Sequence, residues 1–382
     1  MKKFVVICLF LPLVALGAEP RARDLGIPFA GEPGPYNAIT DVPGVTVGFE
    51  TILADLPDNK AVRTGVTAIL PRGDETNSKP VFGGWFSLNG NGEMTGTTWV
   101  EESGFIEGPI MITNTHSIGA VHEGTIRWRF ENGAADSSGF WWSLPVIAET
   151  WDGYLNDING FHVRPEHAAA AIEAAESGPV AEGNVGGGTA MNCFEFKCGT
   201  GTSSRVTEAA GERYTVGVLV QANFGRRDEL IVAGVPVGEH IREDMVFSAV
   251  LPDNMEAGSI IIVVGTDAPL LPHQLKRLTR RAALGLSRTG STAGNGSGDI
   301  FIAFSTANEN ANQASAGVSI DTLPNEEVGA LFTATIQATE EAITNALIAG
   351  RDMTGNGGNT VKNIDHEMLK NILREYNRLE ED

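Results

Sequence analysis

The sequence is short of basic residues: 27 lysines and arginines stand against 48 acids, a formal charge of −21 over 382 residues. So acidic a chain repels phosphate backbones, which argues against nucleic acid as a partner; the charge suits a salty milieu or simply solubility. Cysteine is scarce, with Cys8, Cys193 and Cys198 alone and no C-x-x-C pair. The seven histidines are scattered without metal-ligand spacing, and His122-Glu123 runs into Gly124, so no H-E-x-x-H is formed. In GNVGGGTAM, residues 183–191, Met191 stands where the last glycine of a G-x-G-x-x-G would fall. A G-x-S-x-G elbow and a phosphate loop are missing as well. No metal or organic cofactor is therefore expected. Beyond the first 20 residues no apolar run approaches membrane-span length. There is no internal repeat, low-complexity tract or linker, and a single domain is expected.

The amino terminus, MKKFVVICLFLPLVALGAEP, joins Lys2 and Lys3 to an apolar run over residues 4–16 and to the small residues Gly17 and Ala18. This reads as a secretory signal peptide over 1–18, cut near Gly17 or Ala18, and implies export, to a bacterial periplasm. Cys8 lies inside the apolar run and is not placed as a lipid-modified cysteine. Loss of Lys2 and Lys3 leaves 25 basic residues against the 48 acids. Cys193 and Cys198 remain. An oxidising compartment would permit a disulfide, but a spacing of five on an extended chain points the two to opposite faces, so free, largely buried thiols are expected.

Glycine is abundant, at 46 residues or about 12% against roughly 7% in an average protein, which indicates many tight turns and a sheet-rich body. Short strands are expected at 45–48, 66–70, 109–113 and 214–222, and a strand, turn and strand over the glycine-rich 83–96. Helices are expected at 164–177, opened by Pro165 and stopped by Gly178-Pro179; at 272–286, with Leu275, Leu278, Ala282 and Leu286 on one face; at 325–349, capped by Asn325; and at 365–376.

The stretch NMEAGSIIIVVGTDAP, residues 254–269, is the most informative. An acidic lead-in ends at Gly258, and Ser259 then opens an unbroken β-branched run from Ile260 to Val264, a strand buried on both faces. Glycine before a serine held at the edge of the core exposes its carbonyl to attack. A serine freed there would carry nucleophile and base together, since its α-amine titrates near neutrality. On the residues alone, an ordinary turn before a strand is the better reading of Gly258-Ser259.

GSIIIVVGTDAPLLPHQLKRL resembles the start of the β-chain in the L-aminopeptidase/D-amidase-esterase and β-peptidyl aminopeptidase family. ITDVPGVTVG, NTHSIGAVHEG, ETWDGYLNDINGFHV, GNVGGGTAM, FKCGTGTSSR and NGSGDIFIAFST resemble further family blocks in the same order. The resemblance implies an αββα sandwich of two β-sheets between helix layers, cut by itself at Gly258-Ser259 into an α-chain (19–258) and a β-chain (259–382). It implies that Ser259 is the nucleophile, that Ser297 hydrogen-bonds the nucleophile region with Asp299 in support, and that Asn223 donates to the oxyanion. Glu149 would receive the free amino group of the substrate, and Trp142 would form a pocket wall. Substrates would be small peptides, amides or esters with a free amino group, and the assembly a homotetramer. One departure stands out. Where the family's aminopeptidase pattern has tyrosine two residues after this glutamate, as a second oxyanion donor, this chain has Trp151, whose single N–H reaches elsewhere.

Read without the resemblance, 295–299 is a turn before a polar strand start, Asn223 a turn residue before Gly225, Glu149 a helix-surface glutamate and Trp142 a core aromatic. The glycines and hydroxyls of KCGTGTSSR suit a tight turn near the cleft, and His116 a buried, satisfied histidine. Two other functions fit the same blocks. An acyltransferase of the ornithine acetyltransferase type also self-cleaves, although before threonine and in the cytoplasm. A secreted binding protein with an oxyanion hole weakened by Trp151 is the other.

Overall fold

A computed structural model describes residues 20–134, 138–246, 258–313 and 317–380. The expected signal peptide and the acidic lead-in at 254–257 lie outside the described residues.

Two sheets lie face to face. In chain order the first contains β1 (Thr46–Leu56), β2 (Lys60–Leu70), β5 (Ile110–Asn114) and β6 (Val146–Thr150), side by side in that order. The second runs β4-β3-β12-β11-β10-β9, built from β3 (Val81–Ser87), β4 (Phe105–Ile106), β9 (Thr200–Ala209), β10 (Glu212–Asn223), β11 (Gly258–Thr266) and β12 (Ser297–Ser305). Strand β11 lies between antiparallel β10 and parallel β12, and Ile260 to Val264 are wholly buried, as a run with no polar face requires. The alternation of a strand sorts its side chains. Ile261 and Val263 meet Ile110, Ile112 and Ala148 between the sheets, while Ile260, Ile262 and Val264 face a helix layer.

That layer is α5 (Pro272–Arg288) and α6 (Gly329–Ile348), whose Leu275, Leu278, Ala282, Leu286, Leu331 and Leu347 are buried. On the far side α2 (Ile118–Glu131) and α3 (Pro165–Glu173) cover the first sheet through Val121, Ala168, Ala171 and Ile172. Helix, sheet, sheet and helix are thus stacked as expected. The short α1 (Thr97–Ser103) and α4 (Val237–His240) and the last helix α7 (His366–Glu375), capped by the Asp365 carboxylate on the Met368 amide, complete the chain's helices among the described residues. None of these helices is long and apolar enough to cross a membrane.

Four elements differ from expectation. The segment after β3 is no second strand. Residues 88–92 run beside the start of β12, with the Leu88 amide on the Asp299 carbonyl at 2.9 Å and the Asn91 amide on the Ser297 carbonyl at 3.3 Å. Helix α3 stops at Glu173 because the Glu176 backbone pairs in both directions with Val47. Asn325 caps nothing; it begins a single 3-10 turn, and its Oδ1 accepts from Arg277. KCGTGTSSR is a turn only at its start, and from Thr200 it is the edge strand β9.

The cysteines are the clearest correction: Cys193 and Cys198 form a disulfide. The chain is not extended between them. Phe194 and Glu195 both take positive φ, at 52° and 63°, and fold β7 (Asn192–Cys193) back on β8 (Phe196–Lys197) in a two-residue hairpin. The reversal cancels the strand alternation and brings the two Cα atoms to 5.4 Å.

Candidate active site

Register assembles the site at one edge of the second sheet. Asn223, the last residue of β10, pairs with Ser259 of β11, and Ser259 pairs with Gly298 of β12. Two glycines permit this crowding. A Cβ on Gly258 would stand 2.4 Å from the Asn223 carbonyl oxygen, and one on Gly298 would stand 2.4 Å from that of Asn91.

Ser259 is 5% exposed, and its Oγ donates to the Gly258 carbonyl oxygen at 2.7 Å while accepting from the Gly298 amide at 3.2 Å. Ser297 and Asp299, two apart on a strand, share a face, and the Ser297 hydroxyl donates to Asp299 Oδ1 at 2.7 Å. The hydrogen bond to Ser259 thus comes from the residue between them and not from the Ser297 hydroxyl. Asn89 braces this strand start, accepting from the Asp299 amide at 2.6 Å and donating to the carbonyls of Ala293 and Gly294. The Asn223 amide is fixed in one orientation: Oδ1 accepts from the Asn192 amide at 3.0 Å and Nδ2 donates to the Trp151 carbonyl at 2.9 Å. An amide nitrogen has two hydrogens, so one N–H remains to serve a ligand.

Glu149 lies on β6 of the opposite sheet, 3% exposed, and not on a helix surface. Its Oε1 accepts from the Glu93 amide at 3.0 Å and its Oε2 from the Thr115 hydroxyl. Burial holds its pKa above the usual carboxylate value, against the pull of these two donors. Trp151, just past β6, is 43% exposed, with Gly153 directly against its ring.

A cavity of about 520 Å³ joins Ser259 and Gly258 on one wall to Glu149, Thr115, Glu93 and Trp151 on the other. Gly90, Asn91, Gly92 and Gly296 close its rim. Asn223, Ser297 and Asp299 are next to Ser259 in the strand register and are not among the residues that line the cavity. Trp142 does not line it either; it is 58% exposed and packs edge-on against Phe140. His116 is exposed and stacks on Phe161. Thr115, Asn89 and Asn91 were missed by sequence reasoning. Their signal was the repeated N-G in LNGNG, read within a strand, turn and strand, and the hydroxyl in NTHS, read only as part of a family block.

The model of peptidase family S58 matches residues 37–361. The chain belongs to peptidase family S58. It is 55% identical over 383 aligned positions to the β-peptidyl aminopeptidase of Sphingosinicella microcystinivorans, covering 96% of this chain and 95% of that one. To the β-peptidyl aminopeptidase of Sphingosinicella xenopeptidilytica it is 46% identical, over 94% and 92% of the two chains. Among solved structures it superimposes on the L-aminopeptidase D-Ala-esterase/amidase of Ochrobactrum anthropi with a TM-score of 0.89 and 50% identity, covering 95% of this chain and all of that one. That structure is described as a prototype for the serine aminopeptidases and a variant of the Ntn hydrolase fold. This S58 chain is accordingly a serine aminopeptidase with that fold.

Proposed function

We propose that the chain matures by cutting its own Gly258–Ser259 bond and then removes amino-terminal residues from peptides, amides or esters through an acyl-Ser259 intermediate. The observation that carries this reading is the convergence of Ser259, its own preceding carbonyl and the buried Glu149 on one cavity. In maturation Ser259 Oγ attacks the Gly258 carbonyl carbon and the peptide C–N bond breaks. The acyl group then sits on oxygen, and water hydrolyses that ester to leave a Gly258 carboxylate and a free Ser259 α-amine. In turnover this amine takes the hydroxyl proton as Ser259 attacks, and returns it to the leaving amine. Asn223 Nδ2 donates to the oxyanion, a contribution of a few kcal/mol where water is excluded. Asp299 and Ser297 hold the strand that carries Gly298.

Glu149 receives the substrate ammonium. A substrate without that charge leaves a buried carboxylate unpaired, which confines cleavage to the first residue. The relatives' names point to β-peptides among the substrates. Export as a periplasmic enzyme and a homotetrameric assembly belong to the same reading, supported by the signal-like amino terminus and the family blocks.

Intact mass of the purified protein, with a Ser259→Ala control, tests the reading. The expected result is two fragments, the smaller beginning at Ser259, against one uncut variant chain, together with release of p-nitroaniline from aminoacyl p-nitroanilides. A single uncut and active wild-type chain would overturn it.

A further inference from the structure

The mechanism leaves unused the hairpin closed by Cys193 and Cys198 and the lysine beside it. Lys197 is wholly buried, and among the described residues its Nζ bonds two carbonyl oxygens, of Met191 at 2.9 Å and of Cys198 at 2.6 Å. Burial lowers its pKa well below the ordinary lysine value, and a neutral amine has as many N–H groups as there are carbonyls here. The Met191 carbonyl also accepts from the Cys198 amide, at 3.0 Å. The next residue is Asn192, whose amide is the group that holds Asn223 Oδ1. The hairpin is tied to the end of β10 at a second point, where the Phe194 amide donates to the Phe224 carbonyl at 2.7 Å. Arg227, 1% exposed, grips the turn through the carbonyls of Phe194 and Glu195.

The orientation of the Asn223 amide is therefore set from two sides, by the Trp151 carbonyl on Nδ2 and by the Asn192 N–H, carried by the hairpin, on Oδ1. Turned over, the side chain would present its oxygen to a developing negative charge and its NH₂ to the Asn192 N–H. We infer that the Cys193–Cys198 hairpin and Lys197 are positioning residues for the reaction, holding the Asn192 N–H where it fixes the Asn223 amide with Nδ2 turned to the oxyanion. The inference rests on the role of Asn223 proposed above. None of these residues lines the cavity, so their effect is expected on the transition state and not on ground-state binding.

The test compares Cys193→Ala/Cys198→Ala and Lys197→Met with wild type, each purified in its two-fragment form and assayed on an aminoacyl p-nitroanilide. Asn223→Ala is made alone and combined with each. The expected result is a fall in kcat of about tenfold with KM within twofold, and no further fall when the change is added to Asn223→Ala. Equal kcat within twofold, a loss carried in KM, or a loss that persists in the Asn223→Ala background would overturn the inference and leave the hairpin a structural staple. If Asn223→Ala alone keeps wild-type kcat, the oxyanion assignment itself fails, which is a different result. If the Asn223→Ala chain stays uncut, the self-cleavage rates of Cys193→Ala/Cys198→Ala and Lys197→Met are compared with wild type in its place: slowing of about tenfold is expected, and cleavage at the wild-type rate would overturn the inference.

Discussion

Asn223 and Ser259 face each other across neighbouring antiparallel strands, the last residue of β10 opposite the second of β11. The pairing makes their separation a property of the sheet and not of a loop. Under the proposed roles, Asn223→Ala should lower kcat on p-nitroanilides by about 10²–10³ with little change in KM. Steady-state kinetics on the processed variant decides it, and a loss confined to KM would place Asn223 in ground-state binding.

Glu149→Gln should raise KM for aminoacyl substrates by at least tenfold and leave N-acetylated substrates as poor as before. The carboxylate must be ionised to pair with an ammonium, and burial raises its pKa. The acid side of kcat/KM should then carry two ionisations, that of the Ser259 α-amine near neutrality and that of Glu149 above the ordinary glutamate range, and the variant should lose the second and keep the first. A pH–rate profile from pH 4 to 9 reads both.

Gly258→Ala should stop or severely slow self-cleavage, because the new methyl would fall 2.4 Å from the Asn223 oxygen and 2.7 Å from Phe224 Cα, both backbone. Mass spectrometry over hours of incubation follows the uncut chain. Processing at the wild-type rate would show that the strand start yields easily.

Asp152, fully buried next to Trp151, has its pKa pushed up to about 7 by desolvation, although Asn156 Nδ2 donates to it at 3.0 Å. The folded state therefore holds a proton that the unfolded chain releases near pH 4. Stability from this group is present below the unfolded value and is lost as pH rises toward about 7. Asp152→Asn should flatten that slope and melt higher than wild type at pH 8, with little difference at pH 4. Melting curves across this range are the check.

Glu341 is wholly inside, hydrogen-bonded to both Arg23 and Arg205, and burial fails to raise its pKa because the two guanidinium groups and Asn37 hold it low. Removing it strands Arg205, 1% exposed, without its counter-charge. Glu341→Ala should cost about 3–5 kcal/mol, measured by urea denaturation.

How much of this was legible depended on whether the information was local. Strand β11 declared itself through five β-branched residues, α5 through its leucine stripe and α7 through Asp365, since each depends on near neighbours. The layered architecture came through the ordered family blocks, which also singled out Ser259, Glu149 and Trp151, residues that the structure brings to one cavity, and Trp142, which it does not. The disulfide was misread because strand alternation was applied across a reversal made by two non-glycine residues at positive φ, Phe194 and Glu195. Glu149 looked like a surface residue because nothing near it in sequence reveals that Thr115 and Glu93 enclose it. Asn89 and Asn91 looked like turn residues for the same reason: their partners at 293–299 lie some two hundred positions away.

The proposed cut falls inside the six-stranded sheet, with β11 and β12 on one side of it in sequence and β3, β4, β9 and β10 on the other. After cleavage, neither fragment owns the whole of this sheet. The two pieces are held by strand pairing and by a shared core, so they should copurify and separate only on denaturation. Folding of the precursor is unimolecular, whereas reassembly of the mature pieces is second order. Recovery after unfolding should therefore depend on protein concentration in the processed enzyme and not in the Ser259→Ala chain, so that maturation turns a reversible fold into one assembled once.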